Sequence, residues 1–334
     1  MIISKTPYRI SFFGGGSDYP EWYMENGGKV LSTTIDKHIY ISARYLPPFF
    51  KHKYRIVWSK LETVKNIKDI NHNAIREMLK LFKINDGLEI HYDGDLPARS
   101  GIGSSSVFVV GLINLLRAYT GKNIEKKVLA KESIYFEQKI LKEVVGSQDQ
   151  IAASFGGFNK ISFKKNGNFA VKSLNIKKKT LLQLNKNLLL IYTGIERNAH
   201  DIAKSYVNKL QSSKKNNILR ILSYVDECEA ILKRNDLDDF GRLLHESWLD
   251  KKDLNSSVTN NKIEEIYNFA MKKGASGGKV LGAGGGGFIL FYVPYQRQKK
   301  FIKSFKNFNR LINIPFNFNN EGSSIIFNNK KMKN

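Results

Sequence analysis

Residues 97–107 of the sequence, PARSGIGSSSV, combine residue types that bind phosphate groups. Gly101 and Gly103 lack a Cβ atom, so the backbone can turn there and approach a ligand closely. Three serines, residues 104–106, stand where the apolar helical run Val107–Tyr119 begins, beside backbone N–H groups without a partner inside the helix. Because a helix N-terminus carries partial positive charge, the stretch predicts a cradle for a polyphosphate. A glycine turn before an ordinary serine-capped helix is the alternative.

Two carboxylates further along the chain could complete such a site. Glu137 lies within the predicted helix Ile124–Val144, and Asp149 follows the end of that helix, which Gly146 is expected to terminate. One carboxylate, a serine hydroxyl and phosphate oxygens form the oxygen-only ligand set that Mg²⁺ accepts. The second carboxylate could take the proton of an attacking hydroxyl group. Spacing alone favours plainer roles, a solvated helix position for Glu137 and a capping position for Asp149.

Two more glycine clusters stand next to predicted strands. Gly14–Gly16 follows the strand 2–13 and predicts a loop that approaches a ligand, with a plain turn or bulge as the alternative. Gly282–Gly287 matches the pattern G-x-G-x-x-G of dinucleotide-binding folds, but that pattern requires a following helix. Here the apolar strand Phe288–Val293 follows, which argues against a dinucleotide-binding fold. A loop between strands is expected, and a functional and a structural role stay equally open.

The elements that must position these residues follow from periodicity and punctuation. In the first half we expect strands at 2–13, 29–46, 52–58, 88–92, 158–173 and 187–192, and helices at 73–82, 107–119 and 124–144. In the second half we expect helices at 198–210, 217–234, 237–250, 262–271 and 295–309, and strands at 279–281, 288–293, 311–317 and 324–328. The basic, polar residues 174–186 are the candidate boundary. This order predicts two α+β domains, 1–180 and 181–334.

Composition limits the function classes. The formal charge of +24 could indicate a nucleic-acid or membrane partner, but the lysines are scattered and the chain is equally rich in Asn and Ile. The longest apolar runs are too short to span a bilayer, and no signal-peptide pattern opens the chain. The single cysteine, Cys228, permits no internal disulfide and no cysteine-based zinc site, which favours a reducing cytoplasm.

Other catalytic motifs are absent from the sequence. No G-x-x-x-x-G-K-[ST] stretch occurs, which argues against a P-loop. Asp239-Phe240-Gly241 spells a protein-kinase triplet, but it lies in a predicted helix and no His-Arg-Asp loop accompanies it. The six histidines are dispersed, so metal ligation by histidine is disfavoured. Ser105 does not lie in a G-x-S-x-G elbow, which leaves a serine hydrolase weakly supported.

Three stretches, in this order along the chain, resemble the motifs of the GHMP small-molecule kinases, which include galactokinase, homoserine kinase and mevalonate kinase. Residues 6–19, TPYRISFFGGGSDY, resemble the first motif. Residues 97–107 are similar to the ATP-phosphate motif P-x-x-x-G-[LI]-G-S-S, and residues 281–288 resemble the third, glycine-rich motif. The resemblance implies a two-domain α+β fold. Its N-terminal half would be similar to domain 2 of ribosomal protein S5, its C-terminal half would be ferredoxin-like, and ATP and substrate would lie between them.

The family pattern also implies roles for individual residues. Ser105, with Ser104 beside it, would hold Mg²⁺ together with Glu137, and Asp149 would be the catalytic base. Arg9 occupies the place of the basic residue that pairs with this aspartate or with the transferring phosphate. Such roles suit phosphoryl transfer, in which positioning and charge neutralisation supply most of the rate. The loop that would bind the ATP phosphates comprises Arg99, Ser100, Gly101, Ile102, Gly103, Ser104, Ser105 and Ser106. Expected substrate contacts are Gly15, Gly16, Ser17, Asp18, Tyr19, Arg197, Gly284 and Gly285.

Within the family, the first-motif variant GGGSDYP and the stretch GSQDQ at 146–150 resemble sugar kinases that act on heptose 7-phosphate, and also the kinase portions that phosphorylate fucose. Galactokinases carry Gly-Glu-His-Thr-Asp-Tyr there, so the sugar contacts of Glu and His do not carry over. Asp18 and Tyr19 do match and are expected to contact sugar hydroxyls. Residues 192–201, YTGIERNAHD, further resemble the heptose kinases and make Arg197 the candidate for the substrate's own phosphate. A surface arginine at a helix start is the alternative.

The resemblance therefore implies an ATP- and Mg²⁺-dependent sugar kinase. The expected reaction phosphorylates the anomeric C1 hydroxyl of D-glycero-D-manno-heptose 7-phosphate to the 1,7-bisphosphate, for nucleotide-activated heptose. L-Fucose or another hexose as acceptor is the alternative within the family, and an RNA-binding protein is the alternative from another class. The expected partners are a sugar phosphate and ATP, without nucleic acid or membrane, for a cytoplasmic monomer or homodimer.

Overall fold

The computed structural model describes residues 1–196, 199–306, 308 and 311–329, and strands and helices alternate in blocks along them. The strands are β1 (Ile2–Phe13), β2 (Gly28–Tyr45), β3 (Tyr54–Val57), β4 (Leu61–Val64), β5 (Leu88–Gly94), β6 (Phe158–Phe163), β7 (Phe169–Ser173), β8 (Leu188–Tyr192), β9 (Gly277–Val280), β10 (Phe288–Tyr292), β11 (Ile312–Ile314), β12 (Phe318–Asn319) and β13 (Ser324–Asn328).

The helices are α1 (Pro20–Asn26), α2 (Asn73–Leu81), α3 (Ser104–Tyr119), α4 (Lys126–Tyr135), α5 (Gln148–Phe155), α6 (Lys178–Asn187), α7 (Ala199–Val207), α8 (Lys215–Arg234), α9 (Leu237–Lys252), α10 (Asn261–Lys272) and α11 (Tyr295–Lys306). Short 3₁₀ turns lie at Ile67–Asp69 and Ser256–Val258, and a π-helical turn lies at Phe136–Ile140. Among the helices of the described residues, none combines the length and the apolar character needed to cross a bilayer. The predicted α+β class is confirmed.

The first sheet has nine strands, and its main path runs β13-β1-β2-β5-β3-β4. The 18-residue strand β2 is its centre, because it pairs with β1, β5, β6 and β12. The pairs are antiparallel except β3 with β5. α3 packs against β1 and β2. Its sequence is apolar on all sides, which is why every residue of α3 but Ser105 and Arg117 is buried. A Cβ on Gly111 would lie 2.8 Å from Thr6 Oγ1, so glycine allows the helix to approach β1 closely.

The second sheet has four strands in the order β11-β8-β10-β9, all antiparallel. Helices α7 to α10 connect β8 to β9, and α11 connects β10 to β11. This order, in which the first and second strands of the unit flank the third, is that of a ferredoxin-like split β-α-β arrangement. The sheet packs its apolar side chains with those of α10 and α11 in one core cluster.

The C-terminal strands return to the first sheet. Phe318 in β12 pairs with Ile35 in β2, and Ile325 in β13 pairs with Ser4 in β1. Residues 181–334 therefore contribute strands to both sheets. The predicted division near residue 180 stays a prediction. The pairing of β12 and β13 with the N-terminal sheet was not predicted.

The prediction of one helix over Ile124–Val144 is wrong for its second half. α4 ends at Tyr135, and the wider π-helical turn Phe136–Ile140 follows. Gly146 does not terminate this helix. A Cβ at Gly146 would lie 1.9 Å from Asp18 Oδ2, so its glycine is required by the close approach of another loop. The sequence pattern did not predict α1, β4, α5 or α6, and α6 fills most of the expected boundary segment.

Gly277→Ala should destabilise the fold, because β9 and α9 touch through glycine. A Cβ on Gly277 would lie 1.9 Å from the carbonyl oxygen of Gly241, so the strand and the helix must separate. We expect the free energy of unfolding, measured with denaturant, to fall by about 1–3 kcal/mol. Gly15→Ala is the matched control, since its Cβ would meet nothing closer than 3.7 Å. Equal stability of the two variants would contradict this packing.

Candidate active site

The glycine–serine loop leads directly into the N-terminus of α3. Gly101 and Gly103 have φ angles of 88° and 79°, in the left-handed region that favours glycine, and Gly103 is the N-cap of the helix. The unpaired N–H groups of the first helical turn therefore lie beside the side chains of Ser104–Ser106. A Cβ on Gly103 would lie 3.1 Å from Asp149 Oδ2, so the missing side chain also makes room for that carboxylate.

Arg9 on β1 forms a two-point ion pair with Asp149 on α5. Nε donates to Oδ1 at 2.6 Å, and Nη2 donates to Oδ2 at 2.7 Å. Nη1 donates to the carbonyl oxygen of Gly101 at 2.9 Å, so the same guanidinium holds the glycine loop. Arg9 is 3% exposed, and the planar guanidinium fixes the orientation of the carboxylate. Each carboxylate oxygen has a second lone pair, with which it can accept a hydrogen bond from a further donor.

The first turn of α5 presents three consecutive side chains to three parts of the site. Gln148 donates from Nε2 to Asp18 Oδ2 at 3.0 Å, Asp149 pairs with Arg9, and Gln150 donates from Nε2 to Glu137 Oε2. Successive residues of a helix point in different directions, so one turn can reach two carboxyl groups and the Arg9 guanidinium. This explains why the short helix α5, which the sequence analysis did not predict, positions the site.

Glu137 is fully buried on the π-helical turn. Ser106 donates from its hydroxyl to Glu137 Oε1 at 3.0 Å, and the amide of Gln150 donates both to Glu137 Oε2 and to the Ser106 hydroxyl. Burial, and secondarily the nearby Glu143 carboxylate, raise the pKa of Glu137 to about 8, which keeps it largely protonated at neutral pH.

The expectation that Ser105 and Glu137 hold Mg²⁺ together stays a prediction. Ser105 is exposed, and Ser106 is the serine that contacts Glu137. Neighbouring residues of α3 point in different directions, so one serine of the three faces the π-helical turn. Ser104 is buried, and its hydroxyl has no hydrogen-bond partner among the described residues. An unpartnered buried hydroxyl at a helix N-terminus that lines a cavity is suited to bind a cation or a phosphate.

Asp18 is the second buried carboxyl group. Its Oδ1 accepts from the backbone N–H of Gly16 at 2.9 Å, and its Oδ2 accepts from Gln148. Burial, followed by the charge of Asp149, raises the pKa of Asp18 to about 6. Next to it, the Tyr19 ring meets the Tyr206 ring edge-on, at 6.2 Å between centroids.

A cavity of about 700 Å³ opens over these groups. Asp18, Asp149 and Arg9 line one part, and four aromatic side chains line another. In that aromatic part, His72 lies 4.9 Å from Trp58 and 5.1 Å from Phe108 between ring centroids, and Tyr92 lies 5.3 Å from Phe108. The glycine–serine loop adjoins the aromatic part, because Phe108 is one helical turn after Ser104. The cavity is large enough for a small-molecule ligand and has one polar and one aromatic end.

Most of the predicted site residues are brought together in this cavity. Those that line it are Arg9, Gly15, Gly16, Asp18, Tyr19, Arg99, Ser100, Gly101, Gly103, Ser104, Ser105, Ser106 and Asp149. Glu137 lies behind the wall, against Ser106. Arg197 lies outside the described residues.

Two residues predicted to contact a ligand, Ser17 and Ile102, do not line the cavity. The Ser17 hydroxyl donates to the Gly14 carbonyl oxygen at 2.7 Å and is fully buried, so it closes the glycine turn and does not line the cavity. Ile102 is also fully buried, as part of the main core. Its carbonyl oxygen accepts from the backbone N–H of Arg9 at 3.4 Å. In both cases the residue supports its loop from behind.

The glycine cluster Gly282–Gly287 packs against the glycine–serine loop. Gly284 and Gly285, expected to contact substrate, pack against Val258, and Gly282 and Ala283 line the cavity in their place. The backbone N–H of Phe288 donates to the Ser100 carbonyl oxygen at 2.9 Å, and a Cβ on Gly287 would lie 2.1 Å from that oxygen. The glycines therefore allow the C-terminal sheet to contact the glycine–serine loop, backbone against backbone.

Several residues that line the cavity were not predicted from the sequence. Lys279 on β9 is 5% exposed and lies between the C-terminal sheet and β1. A lysine inside a short apolar strand that leads into a glycine loop was a signal that could have identified it. Trp58 and His72 carried no such signal, because aromatic residues in short segments are more often part of a core.

Comparisons with known proteins agree with this geometry. Residues 67–157 match the model of the GHMP kinases N terminal domain, and residues 229–310 match that of the GHMP kinases C terminal domain. A D-glycero-alpha-D-manno-heptose 7-phosphate kinase from Campylobacter jejuni is 29% identical over 96% of this chain and 97% of its own length. An L-fucokinase/L-fucose-1-P guanylyltransferase from Bacteroides fragilis is 25% identical over 86% of this chain and 34% of its own length.

A solved structure has the same fold. The crystal structure of a D-glycero-D-manno-heptose 1-phosphate kinase from Bacteroides thetaiotaomicron matches with a TM-score of 0.80 and 23% identity, over 99% of this chain and 100% of the other. Both domains of the family are thus matched in sequence, and the whole chain is matched in structure. The chain belongs to the GHMP kinase family and is a sugar kinase, a phosphotransferase that uses ATP and has an alcohol group as acceptor.

Proposed function

We propose that this enzyme phosphorylates the anomeric C1 hydroxyl of D-glycero-D-manno-heptose 7-phosphate, with ATP as donor and Mg²⁺ as the metal, and produces the 1,7-bisphosphate. The similarity to the Campylobacter jejuni heptose 7-phosphate kinase, which extends over nearly both full chains, supports this choice of acceptor. The observation that carries the chemistry is the Arg9–Asp149 pair at the edge of the glycine–serine loop, inside one cavity.

The donor nucleotide fits one side of the cavity. Aromatic faces stack on a base, so Trp58, His72 and Phe108 would bind the adenine. The phosphates would then lie over the N–H groups at the start of α3, where the helix dipole favours negative charge. Gly101 and Gly103 leave the backbone open to that approach.

The acceptor sugar fits the other side. Asp18, whose oxygens are held by Gly16 and Gln148, would accept hydrogen bonds from sugar hydroxyls, and Tyr19 would lie beside it. Asp149 would take the proton of the attacking hydroxyl on a lone pair that Arg9 does not use. Arg9 would keep the carboxylate in position and offset charge near the transferring phosphate. Arg197 stays the candidate for the 7-phosphate.

Mg²⁺ suits the donor set near α3. Among the described residues, no cluster of three or more His, Cys, Asp or Glu side chains could hold a metal, so phosphate oxygens would supply part of the coordination. Glu137 and the first-turn serines, Ser105 and the unpartnered Ser104, are the oxygen ligands that the chain can offer. When bound, Mg²⁺ neutralises negative charge on the phosphates. Glu137 would have to lose its proton to take part.

We place the reaction in the cytoplasm as part of the same proposal. A single cysteine, Cys228, which is buried, is compatible with a reducing compartment. Whether the enzyme acts as a monomer or a homodimer does not change the proposed chemistry.

Asp149→Asn should remove the proton acceptor and keep the side-chain shape. We expect kcat to fall by about 10²–10⁴-fold, the usual contribution of a general base. The dissociation constant for ATP, measured by titration calorimetry, should stay within about threefold of the wild type, because the nucleotide contacts lie elsewhere. Asp93→Asn, at an exposed position, is the control and should leave both quantities unchanged. Normal turnover by Asp149→Asn would remove this residue from the mechanism.

A panel of acceptors tests the proposed substrate. We expect the kcat/KM for heptose 7-phosphate to exceed that for L-fucose and D-galactose by about 10²-fold or more, since a site that binds a phosphate group discriminates strongly against a sugar that lacks it. Heptose 1-phosphate should not be an acceptor, because its anomeric oxygen is already phosphorylated. An ATP-coupled assay measures all four sugars. Faster turnover of L-fucose, or of heptose 1-phosphate, would replace the proposed acceptor.

Glu137→Gln should change how stability depends on pH. The ordinary carboxyl pKa is 4.5 and that of Glu137 is about 8 in the folded protein, so between these values the unfolded chain has lost a proton that the folded chain keeps. Fewer protons on the unfolded chain mean that stability falls as pH rises, by at most about 1.4 kcal/mol per pH unit. In urea titrations without divalent cations, from about pH 5 to about pH 7, the wild type should lose stability relative to Glu137→Gln. If the unfolding free energies of the two proteins change in parallel with pH, Glu137 is not held protonated in the folded protein.

A further inference from the structure

Lys279 is a buried cationic side chain with no role in the mechanism above. It lies on β9 between Gly278 and Val280, in a strand whose four residues are all buried. A Cβ on Gly278 would lie 2.4 Å from the Phe291 ring, which shows how tightly this strand packs. Lys279 lines the same cavity as Arg9 and Asp149. It therefore brings a charge from the C-terminal sheet to the wall of the site.

One hydrogen bond of Lys279 has a structural explanation. Its Nζ donates to the carbonyl oxygen of Phe12 at 2.6 Å. Phe12 lies at an irregularity of the β1–β2 ladder, between the pairs of Ser11 and Phe13, so the lysine binds a carbonyl where regular pairing is interrupted. An ammonium group has three donors, and this bond uses one of them. A purely structural role leaves the other two unexplained.

The surrounding charges favour an anion near Lys279. Within the described part of the chain, no carboxylate lies within ion-pair distance of Nζ, and the nearby Arg9 is itself paired with Asp149. Burial, and secondarily the positive charge of Arg9, lower the pKa of Lys279 to about 7. The other charged or titratable groups lining this cavity are Asp18, Tyr19, His72, Tyr92, Arg99, Glu143, Tyr206 and Lys251. A buried ammonium without a counter-ion is costly, and an anionic ligand would supply the missing charge.

We propose that Lys279 is a phosphate-binding residue of the cleft, whose ammonium group keeps the Phe12 carbonyl and donates its remaining hydrogen bonds to a phosphate oxygen of the substrate. This inference rests on the proposed function, because it requires a phosphorylated ligand in this cavity. It also gives the C-terminal sheet a direct contact with the ligand, so that both domains bind the same group. The phosphate could belong to ATP or to the acceptor sugar.

Ligand binding should then change the protonation of Lys279. A neighbouring phosphate stabilises the charged ammonium and so raises the pKa of Lys279. If this pKa rises by about one unit, ligand binding at neutral pH is accompanied by the uptake of about 0.3–0.5 proton per site. Calorimetry in buffers of different ionisation enthalpy measures this number. Because Asp18 and Glu137 also titrate near this range, the informative quantity is the difference between the wild type and Lys279 variants, all measured without metal.

Lys279→Met tests the proposal, because methionine has a similar length and no charge. We measure dissociation constants for metal-free ATP, heptose 7-phosphate and adenosine by calorimetry. We expect the affinity for one of the two phosphorylated ligands to fall by about 10–100-fold, the usual effect of removing a charged hydrogen-bond donor, with adenosine unchanged. The ligand that weakens identifies the source of the phosphate. Lys299→Met, at an exposed position on α11, is the matched control and should bind all three as the wild type does.

Lys279→Arg is the second variant, and it keeps the charge at every pH used. It should bind the phosphorylated ligand, and its proton uptake should be smaller than that of the wild type by the share that Lys279 contributes. If Lys279→Met lowers the thermal unfolding temperature but binds both phosphorylated ligands normally, Lys279 only supports the Phe12 carbonyl and the proposal is wrong. Should Lys279→Met not fold, proton uptake by Lys279→Arg equal to that of the wild type would overturn it as well. If the wild type binds ATP at no concentration, the proposed function fails together with this inference.

Discussion

The site depends on one ion pair that joins three separate segments. Arg9 uses its guanidinium to bind both oxygens of Asp149 and the carbonyl oxygen of Gly101. β1, α5 and the glycine–serine loop are thereby held in one arrangement, and the partner of the carboxylate is buried in the sheet. A guanidinium is suited to this task because its donors lie in a rigid plane. Asp18 and Glu137 are positioned relative to this pair, since Gln148 and Gln150, on either side of Asp149 in α5, bond to them.

The same region contains an unusual number of buried ionisable groups. Burial raises the pKa of Glu137 and Asp18 and lowers that of Lys279, so each group tends towards its neutral form. Such groups contribute little to stability and are costly without partners. They do, however, provide a cavity whose charge can adapt to phosphate and to a cation. Because catalysis of phosphoryl transfer depends on charge placed in advance, the arrangement suits the chemistry of a sugar kinase.

Long periodic segments were predictable, whereas short segments held by distant contacts were not. α8 and α9 lie where their apolar periodicity placed them, within a few residues. The predicted helix Ile124–Val144 continues only to Tyr135, because the π-helical turn is set by contacts of Glu137 with Ser106 and Gln150. β12 and β13 were equally difficult to place in a sheet. A strand of two residues has no pattern of its own, and its partner in β2 is nearly the whole chain away.

By itself, the sequence determined which chemical groups the site contains. The two glycines and three serines before an apolar helix already predicted a phosphate site, since that property belongs to residue types and local spacing. Asp149 and Glu137 received their roles from the resemblance to the family motifs. Only the tertiary structure decided which groups meet. In the folded chain Ser106 contacts Glu137, the Ser17 hydroxyl bonds to its own glycine turn, and Lys279 bonds to Phe12, 267 positions away. Such contacts depend on how sheets and helices pack, and packing arises from many distant side chains at once.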